Sequence, residues 1–132
     1  MSDIVNFNSV EDKIIILRNT PVILDSDVAE LYEVETRVIN QAVKNNPDKF
    51  PDGYILKITT EEKNEVMEIV NRRFLKSKKL ILEKDGRGKH SKYPPKAFSE
   101  KGLYMLATIL KSARATQTTI AIVETFAKIR EL

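Results

Sequence analysis

Four polar side chains recur along one short segment at spacings that place them on the same side of a helix. They are separated by three, one and three residues: Arg37, Asn40, Gln41 and Lys44. Residues three or four positions apart are neighbours on a helix surface. Arginine bonds guanine through two donors, asparagine and glutamine pair with adenine in a similar way, and lysine neutralises phosphate. Together these residue types suit the recognition of duplex DNA.

The surrounding residues 24–46 predict two short helices joined by a three- or four-residue turn, the pattern of a helix-turn-helix. In the first helix, one apolar stripe contains Val28, Ala29, Leu31 and Tyr32. Asp25 or Ser26 is the expected cap of its free amides. Ala29 permits close approach of the two helices, and Val34 in the turn can fill the gap between them.

The second helix is predicted to begin at Thr36, as its cap, and to bury a stripe formed by Val38, Ile39, Ala42 and Val43. This leaves the four polar side chains on the opposite face. A solvated amphipathic helix has the same pattern. The first helix and the turn are acidic, which is unfavourable next to phosphate, so these residues are expected to face away from DNA: Asp25, Asp27, Glu30, Glu33 and Glu35.

Composition describes one ordinary globular domain of 132 residues, with 42% hydrophobic and 31% charged residues. There is no cysteine and one histidine, His90, so disulfides and thiolate metal sites are excluded. Neither a secretion signal nor a membrane span is encoded, which predicts a cytoplasmic protein. We expect residues 1–12 to be a flexible lead-in and residues 13–132 to be the domain.

Charge is distributed unevenly, although the net charge is only +3. Residues 1–35 carry eight acidic and two basic side chains, a net of −6, whereas residues 71–96 carry two acidic and ten basic ones, a net of +8. A basic region of this kind is typical of a surface that binds a polyanion, and it is also common in solubilising loops.

The remaining patterns predict an α+β fold: small β-hairpins, the helix-turn-helix and three further helices, the last at the C-terminal end. The expected elements are a hairpin over residues 14–24, a turn at 50–53, a strand over 54–58, a helix with a Thr59–Glu62 capping box, strands at 78–83 and 89–94, a helix opened by Ser99, and a last helix from about Thr116. The last helix has apolar residues on two sides, which predicts a second neighbour, for example another protomer.

The predicted hairpin around Asp85–Gly88 carries a second candidate site. Arg87 lies between two glycines, and Lys84, Lys89, His90 and Lys92 lie nearby. A flexible basic loop of this kind enters a minor groove or holds phosphate in winged helix-turn-helix proteins. Glycines also mark ordinary tight turns, so this alternative stays open.

Enzyme chemistry is not expected. The Gly86–Ser91 segment lacks the spacing of a Walker phosphate-binding loop. His90, Ser91 and Asp85 are neighbours in a turn and lack the buried, oriented base of a catalytic triad. A magnesium nuclease built on Asp25, Asp27 and Glu30 is conceivable, but these residues are more simply helix-cap and first-turn acids. No cofactor or metal site is predicted.

Two stretches resemble the phage ORF-six N-terminal domain family, a relative of the KilA-N and Bro-N domains of phage and large DNA virus regulators: VILDSDVAELYEVETRVINQAVKNNPDKFPDGYILKITTEE and KYPPKAFSEKGLYMLATILKSARA. The resemblance extends over residues 13–131. It implies a DNA-binding module, often followed in phage antirepressor-like proteins by a C-terminal domain, as the chain's end in mid-pattern would fit. The family commonly has glycine in the turn where this chain has Glu33, which costs about 1 kcal/mol or more if φ is positive.

We therefore predict a non-enzymatic domain of a phage-type transcriptional regulator or antirepressor that binds double-stranded DNA. The candidate contacts are Thr36, Arg37, Asn40, Gln41, Lys44, Arg87, Lys89 and Lys92. The alternative is a protein-interaction module that binds a repressor protein or forms a homodimer through the C-terminal helix. The sequence does not specify the DNA site or the direction of regulation.

Overall fold

A computed structural model describes the backbone of residues 10–77 and 95–131, with side chains for 10–72 and 95–130. The helices and a four-stranded sheet form an α+β architecture, which confirms the predicted class. In chain order the elements are β1 (Ile14–Leu17), β2 (Thr20–Leu24), α1 (Asp25–Tyr32), α2 (Thr36–Asn45), a 3-10 turn (Pro47–Lys49), β3 (Ile55–Lys57), α3 (Thr60–Ser77), β4 (Lys96–Ser99), α4 (Glu100–Ala107) and α5 (Ala113–Glu131).

The chain divides into two units. The first comprises residues up to 56 and from 96 onward, and the second comprises residues 57–95. The first unit contains the helix-turn-helix, so the candidate residues of α2 belong to it. The second unit contains α3, whose start shows the predicted capping box: the Thr59 hydroxyl accepts from the Glu62 amide at 3.1 Å, and Glu62 accepts from the Thr59 amide at 3.0 Å.

A four-stranded sheet with the order β1-β2-β4-β3 forms the base of the first unit. The hairpin of β1 and β2 is confirmed, with Ile16 opposite Pro21. Its turn consists of Arg18 and Asn19 alone, since Thr20 and Pro21 already belong to β2. Both turn residues have positive φ, 54° and 63°, as a two-residue turn of the hairpin twist requires.

Strand β4 was not predicted. It pairs with β2 in antiparallel register, Val22 opposite Ser99 and Leu24 opposite Ala97. Its buried part is only Ala97, Phe98 and Ser99, too short for a clear alternation. The preceding pair Pro94–Pro95 and the two apolar residues were the available indications, because proline excludes helix just before this point.

The structure corrects the predicted caps of α1 and α2 and confirms that of α4. Strand β2 runs directly into α1, so Leu24 takes the cap position and neither Asp25 nor Ser26 caps the helix. Helix α2 begins at Thr36, after Glu35 in the cap position, and has no side-chain cap bond. Ser99 does cap α4, since its hydroxyl accepts from the Gly102 amide at 3.3 Å. Gly102 is required there because a Cβ would lie 2.1 Å from the Tyr54 carbonyl oxygen.

The hydrophobic core of the first unit lies between the sheet and the helices α1, α2, α4 and α5. Its fully buried large side chains include Ile23, Ile39, Phe98, Leu103, Leu106 and Phe126. Val10 is also fully buried in this cluster, although it was expected in the lead-in. The ordered domain therefore begins before residue 13.

Candidate nucleic-acid interface

Helix α2 packs into the core with three of the four residues of the stripe that its apolar spacing predicted; Val38 is half-buried and does not belong to the core cluster. Ile39 and Ala42 are buried, and Val43 lies partly buried against the core cluster. On the first helix, Val28, Ala29, Leu31 and Tyr32 are buried in the same cluster, and Val34 from the turn packs against it. The two helices thus share one apolar interface, which fixes the face that α2 presents outward.

That outward face carries three of the four candidate side chains: Arg37, Gln41 and Lys44 are exposed. Gln41 donates to the Asn45 side chain at 3.1 Å, which orients its amide along the helix. Lys44 lies in the last turn of α2. The arrangement places the guanidinium of Arg37, the amide of Gln41 and the ammonium group of Lys44 on one surface.

Arg37 forms an ion pair with Glu35, in the cap position just before the helix. The Arg37 Nε donates to the Glu35 Oε1 at 2.7 Å, while both side chains stay exposed, by 78% and 70%. In the sequence, Glu35 stands out only as one member of an acidic run. The indication that was missed is its place two residues before an arginine, at a helix start where a carboxylate would otherwise cap.

Asn40 departs from the predicted outward orientation. Its Nδ2 donates to the Asp25 Oδ2 at 3.2 Å, and its Oδ1 is buried without a partner among the described residues. Asp25 is only 6% exposed. Burial raises the pKa of this carboxyl, although hydrogen bonds from Asn40 and from the backbone of Lys96 and Ser26 act in the opposite direction. Asn40 therefore connects α2 to Asp25 of α1, and Asp25 in turn accepts from the backbone of β4.

The turn between the helices is a Schellman motif built on a residue that is not glycine. Glu33 has φ 59° and ψ 46°, and its amide donates to the Glu30 carbonyl at 3.2 Å. The Val34 amide donates to the Ala29 carbonyl at 3.0 Å. This is the positive φ whose cost the sequence comparison anticipated. The Glu33 carboxylate also lies 3.3 Å from Arg114 of α5.

The acidic run is largely engaged within the fold. Besides Glu33 and Glu35, Glu30 pairs with Lys13 at 3.0 Å, and Asp25 is buried. Exposed pairs of this kind add little stability, but each places a cation beside a carboxylate and weakens its field. The repulsion expected between this segment and DNA phosphate is thereby reduced without any rearrangement of the helix-turn-helix.

Helix α5 holds the C-terminal end of α1 through polar contacts. The Leu31 carbonyl, which has no partner within its own helix, accepts from the buried Thr118 hydroxyl at 3.2 Å. The Tyr32 hydroxyl lies 2.8 Å from the Thr119 hydroxyl, and burial raises the pKa of Tyr32. These contacts join residues far apart in sequence and had no local indication.

The outer face of α5 is apolar at two adjacent positions. Ile120 is 55% exposed and Val123 is 39% exposed, whereas Ile122 and Phe126 on the inner face are buried. The predicted two-sided apolar helix is thus present, and one of its sides faces outward.

The predicted basic hairpin, with Arg87, Lys89 and Lys92, lies outside the described residues. Within residues 10–77 and 95–131, no three histidine, cysteine or carboxylate side chains are grouped closely enough to hold a metal ion. No helix in the same part of the chain has the length and apolar character needed to cross a membrane.

A family model for the ORF6N domain matches residues 12–109. The chain belongs to this family. The matched segment contains β1, the helix-turn-helix and α4, and it ends before α5, earlier than the resemblance over residues 13–131 suggested. The assignment makes the chain a phage-type regulatory domain. No curated protein and no solved structure matched it.

Proposed function

We propose that this ORF6N domain binds duplex DNA through the outer face of α2 and that it acts without catalysis. The observation that carries the proposal is the two-sided character of this helix. Its apolar side is fixed in the core through Ile39 and Ala42, while Arg37, Gln41 and Lys44 extend outward. A recognition helix needs this combination, because an unsupported helix could not hold its side chains in register with base pairs.

Each side chain has a separate role in this proposal. Arg37 reads guanine and Gln41 reads adenine in the major groove, and Lys44 holds a phosphate. Thr36 adds a hydroxyl at the start of α2, which bonds the DNA backbone in this proposal. The predicted phosphate contacts of Arg87, Lys89 and Lys92 lie outside the described residues and stay a prediction. Asn40 acts indirectly, because its amide is already bonded to Asp25.

The test is a titration of fluorescent duplex DNA, first a random pool and then the sequences selected from it. We expect binding to weaken steeply with salt. The double variant Arg37→Ala, Gln41→Ala should bind the selected sequence at least about 30-fold more weakly, since each base contact contributes ~1 kcal/mol or more.

A matched control removes the same kinds of side chain from α5. Lys128 and Gln117 are exposed there. The double variant Gln117→Ala, Lys128→Ala should bind DNA like the unmodified domain. Equal affinity of the two double variants would contradict base reading by α2, and no binding by the unmodified domain even at low salt would contradict DNA binding itself.

A second candidate function is protein interaction through α5, either self-association or capture of a repressor. The exposed pair Ile120 and Val123 favours it, because neighbouring apolar side chains on one helix face suit a helical partner. Sedimentation of the domain over a range of concentrations tests self-association. The variant Ile120→Asp, Val123→Asp should then remain monomeric at every concentration.

The variants distinguish the two candidate functions. If the α5 variant no longer associates but keeps its DNA affinity, the outer faces of α2 and α5 act independently. If the domain instead acts as a phage antirepressor in the host cytoplasm, the α5 variant should lose binding to the repressor. The repressor encoded nearest to the gene is the one to measure.

A further inference from the structure

The contact between Glu35 and Arg37 uses one particular nitrogen of the guanidinium group. Nε, the nitrogen next to the aliphatic stem, donates to the Glu35 carboxylate at 2.7 Å. The structure shows no hydrogen bond from the two terminal nitrogens to any residue that it describes. A planar guanidinium held at Nε cannot rotate freely about its stem, and its terminal edge then presents two parallel N–H groups in a defined plane.

That terminal edge has the geometry that guanine accepts. The O6 and N7 atoms of guanine lie side by side in the major groove and take two parallel donors from one arginine. We propose that Glu35 is a specificity-determining residue, which orients Arg37 so that its terminal edge binds guanine. The inference rests on the proposed DNA-binding function and concerns a residue that itself bonds no base.

The alternative structural roles of Glu35 are not supported by its contacts. It occupies the cap position of α2, but its side chain makes no cap bond to the helix amides. The pair with Arg37 is two residues apart, a spacing that does not stabilise helices by itself. Both partners are exposed, so the ion pair contributes little to folding. The role that its contact does support is a bias on the orientation of Arg37.

A carboxylate at this point has opposite effects on two measurable quantities. It repels every DNA phosphate, and so lowers affinity for any sequence. It also penalises poses in which Arg37 leaves Glu35 to bind a phosphate or a different base, whereas the guanine pose keeps the ion pair. Glu35 should therefore reduce general affinity and increase discrimination for guanine.

The experiment compares Glu35→Ala with Glu30→Ala by selection from a random duplex pool. Glu30 is a suitable control because it is an exposed helical glutamate of the same motif and pairs with Lys13 rather than with Arg37. Selection with Arg37→Ala first identifies the guanine position, as the one whose preference disappears. Affinity for an unselected duplex is measured for all variants.

We expect both glutamate variants to bind the unselected duplex as tightly as the unmodified domain or a few-fold more tightly. Only Glu35→Ala should lose preference at the Arg37 position, by about fivefold or more. Retention of the full preference by Glu35→Ala would overturn the inference, as would an Arg37→Ala selection that resembles that of the unmodified domain. In both cases DNA binding itself stands. Absence of any binding by the unmodified domain would instead remove the proposed function.

Discussion

Helices α2 and α5 both bury an apolar inner face, but their outer faces differ in polarity. The inner face of α2 is formed by Ile39 and Ala42, and that of α5 by Ile122 and Phe126. Outward, α2 carries Arg37, Gln41 and Lys44, whereas α5 carries Ile120 and Val123. Inner faces determine where a helix packs, and outer faces determine what it is available to bind. The comparison therefore supports the proposal that α2 binds nucleic acid, and it supports α5 as the candidate surface for a protein partner.

The largest effect should appear when the inner and outer faces of α5 are truncated separately. Phe126→Ala removes a buried ring and should lower the free energy of unfolding by about 3–5 kcal/mol. Ile120→Ala should change it by no more than ~0.5 kcal/mol, because the side chain is more than half exposed. Urea titration measures both. A loss of several kcal/mol in Ile120→Ala that depends on protein concentration would show that the outer face is already covered by a second copy.

The inner side of α2 is tested by Asp25→Asn. Burial raises the native pKa of Asp25 above its ordinary value of 3.8. Between the pKa of Asp25 in the unfolded chain and its raised pKa in the native state, the native state binds more protons than the unfolded chain. Asp25 therefore lowers the free energy of unfolding progressively as pH rises between these two pKa values. The asparagine variant lacks this titration and offers a donor to the Asn40 Oδ1, which has no partner among the described residues.

We therefore expect the free energy of unfolding of Asp25→Asn to rise relative to that of the unmodified domain as pH rises from about 3 to 7. At neutral pH the variant should be more stable by about 1 kcal/mol. Unfolding curves at several pH values measure this difference. A variant whose relative stability falls with increasing pH would contradict the assigned direction. Loss of DNA binding despite full folding would indicate that the charge itself, rather than the anchored position of Asn40, serves the interface.

A smaller effect distinguishes the outer faces by salt dependence. Lys44→Ala should weaken DNA binding a few-fold for all sequences and reduce the log-log salt slope by ~1. Lys128→Ala on α5 should leave the slope unchanged. Fluorescence anisotropy at four salt concentrations measures the slope. Equal slopes for the two variants would remove the distinction between the two helices.

The smallest effect concerns the turn that presents α2. Glu33→Gly relieves the positive φ but loses the pair with Arg114, so we expect a net gain of only about 0.5 kcal/mol. Glu33→Ala loses the pair and keeps the strain, and should be slightly destabilised. Thermal unfolding of both variants measures the two terms. A loss of stability in Glu33→Gly would mean that the ion pair outweighs the backbone cost.

Local patterns predicted the local structure. The Thr59 capping box, the Ser99 helix start, the β1–β2 hairpin and the apolar stripe of α2 all depend on residues a few positions apart, and the structure contains them, apart from Val38 of the stripe. Strand β4 and the contact of Asn40 with Asp25 were missed. Both depend on partners that only the folded chain brings together. The site was therefore predictable in its exposed residues and not in the side chain that turns inward.

The pairing of β2 with β4 has a consequence for the order of folding. Leu24 lies opposite Ala97, roughly 70 residues later in the chain, and Asp25 accepts a bond from the Lys96 backbone. During synthesis, α1 and α2 leave the ribosome long before β4 exists, and contacts between distant residues form late. The helix-turn-helix thus spends its first seconds without the strand that completes its base. We expect a nascent chain that ends before residue 96 to be sensitive to proteases at α1.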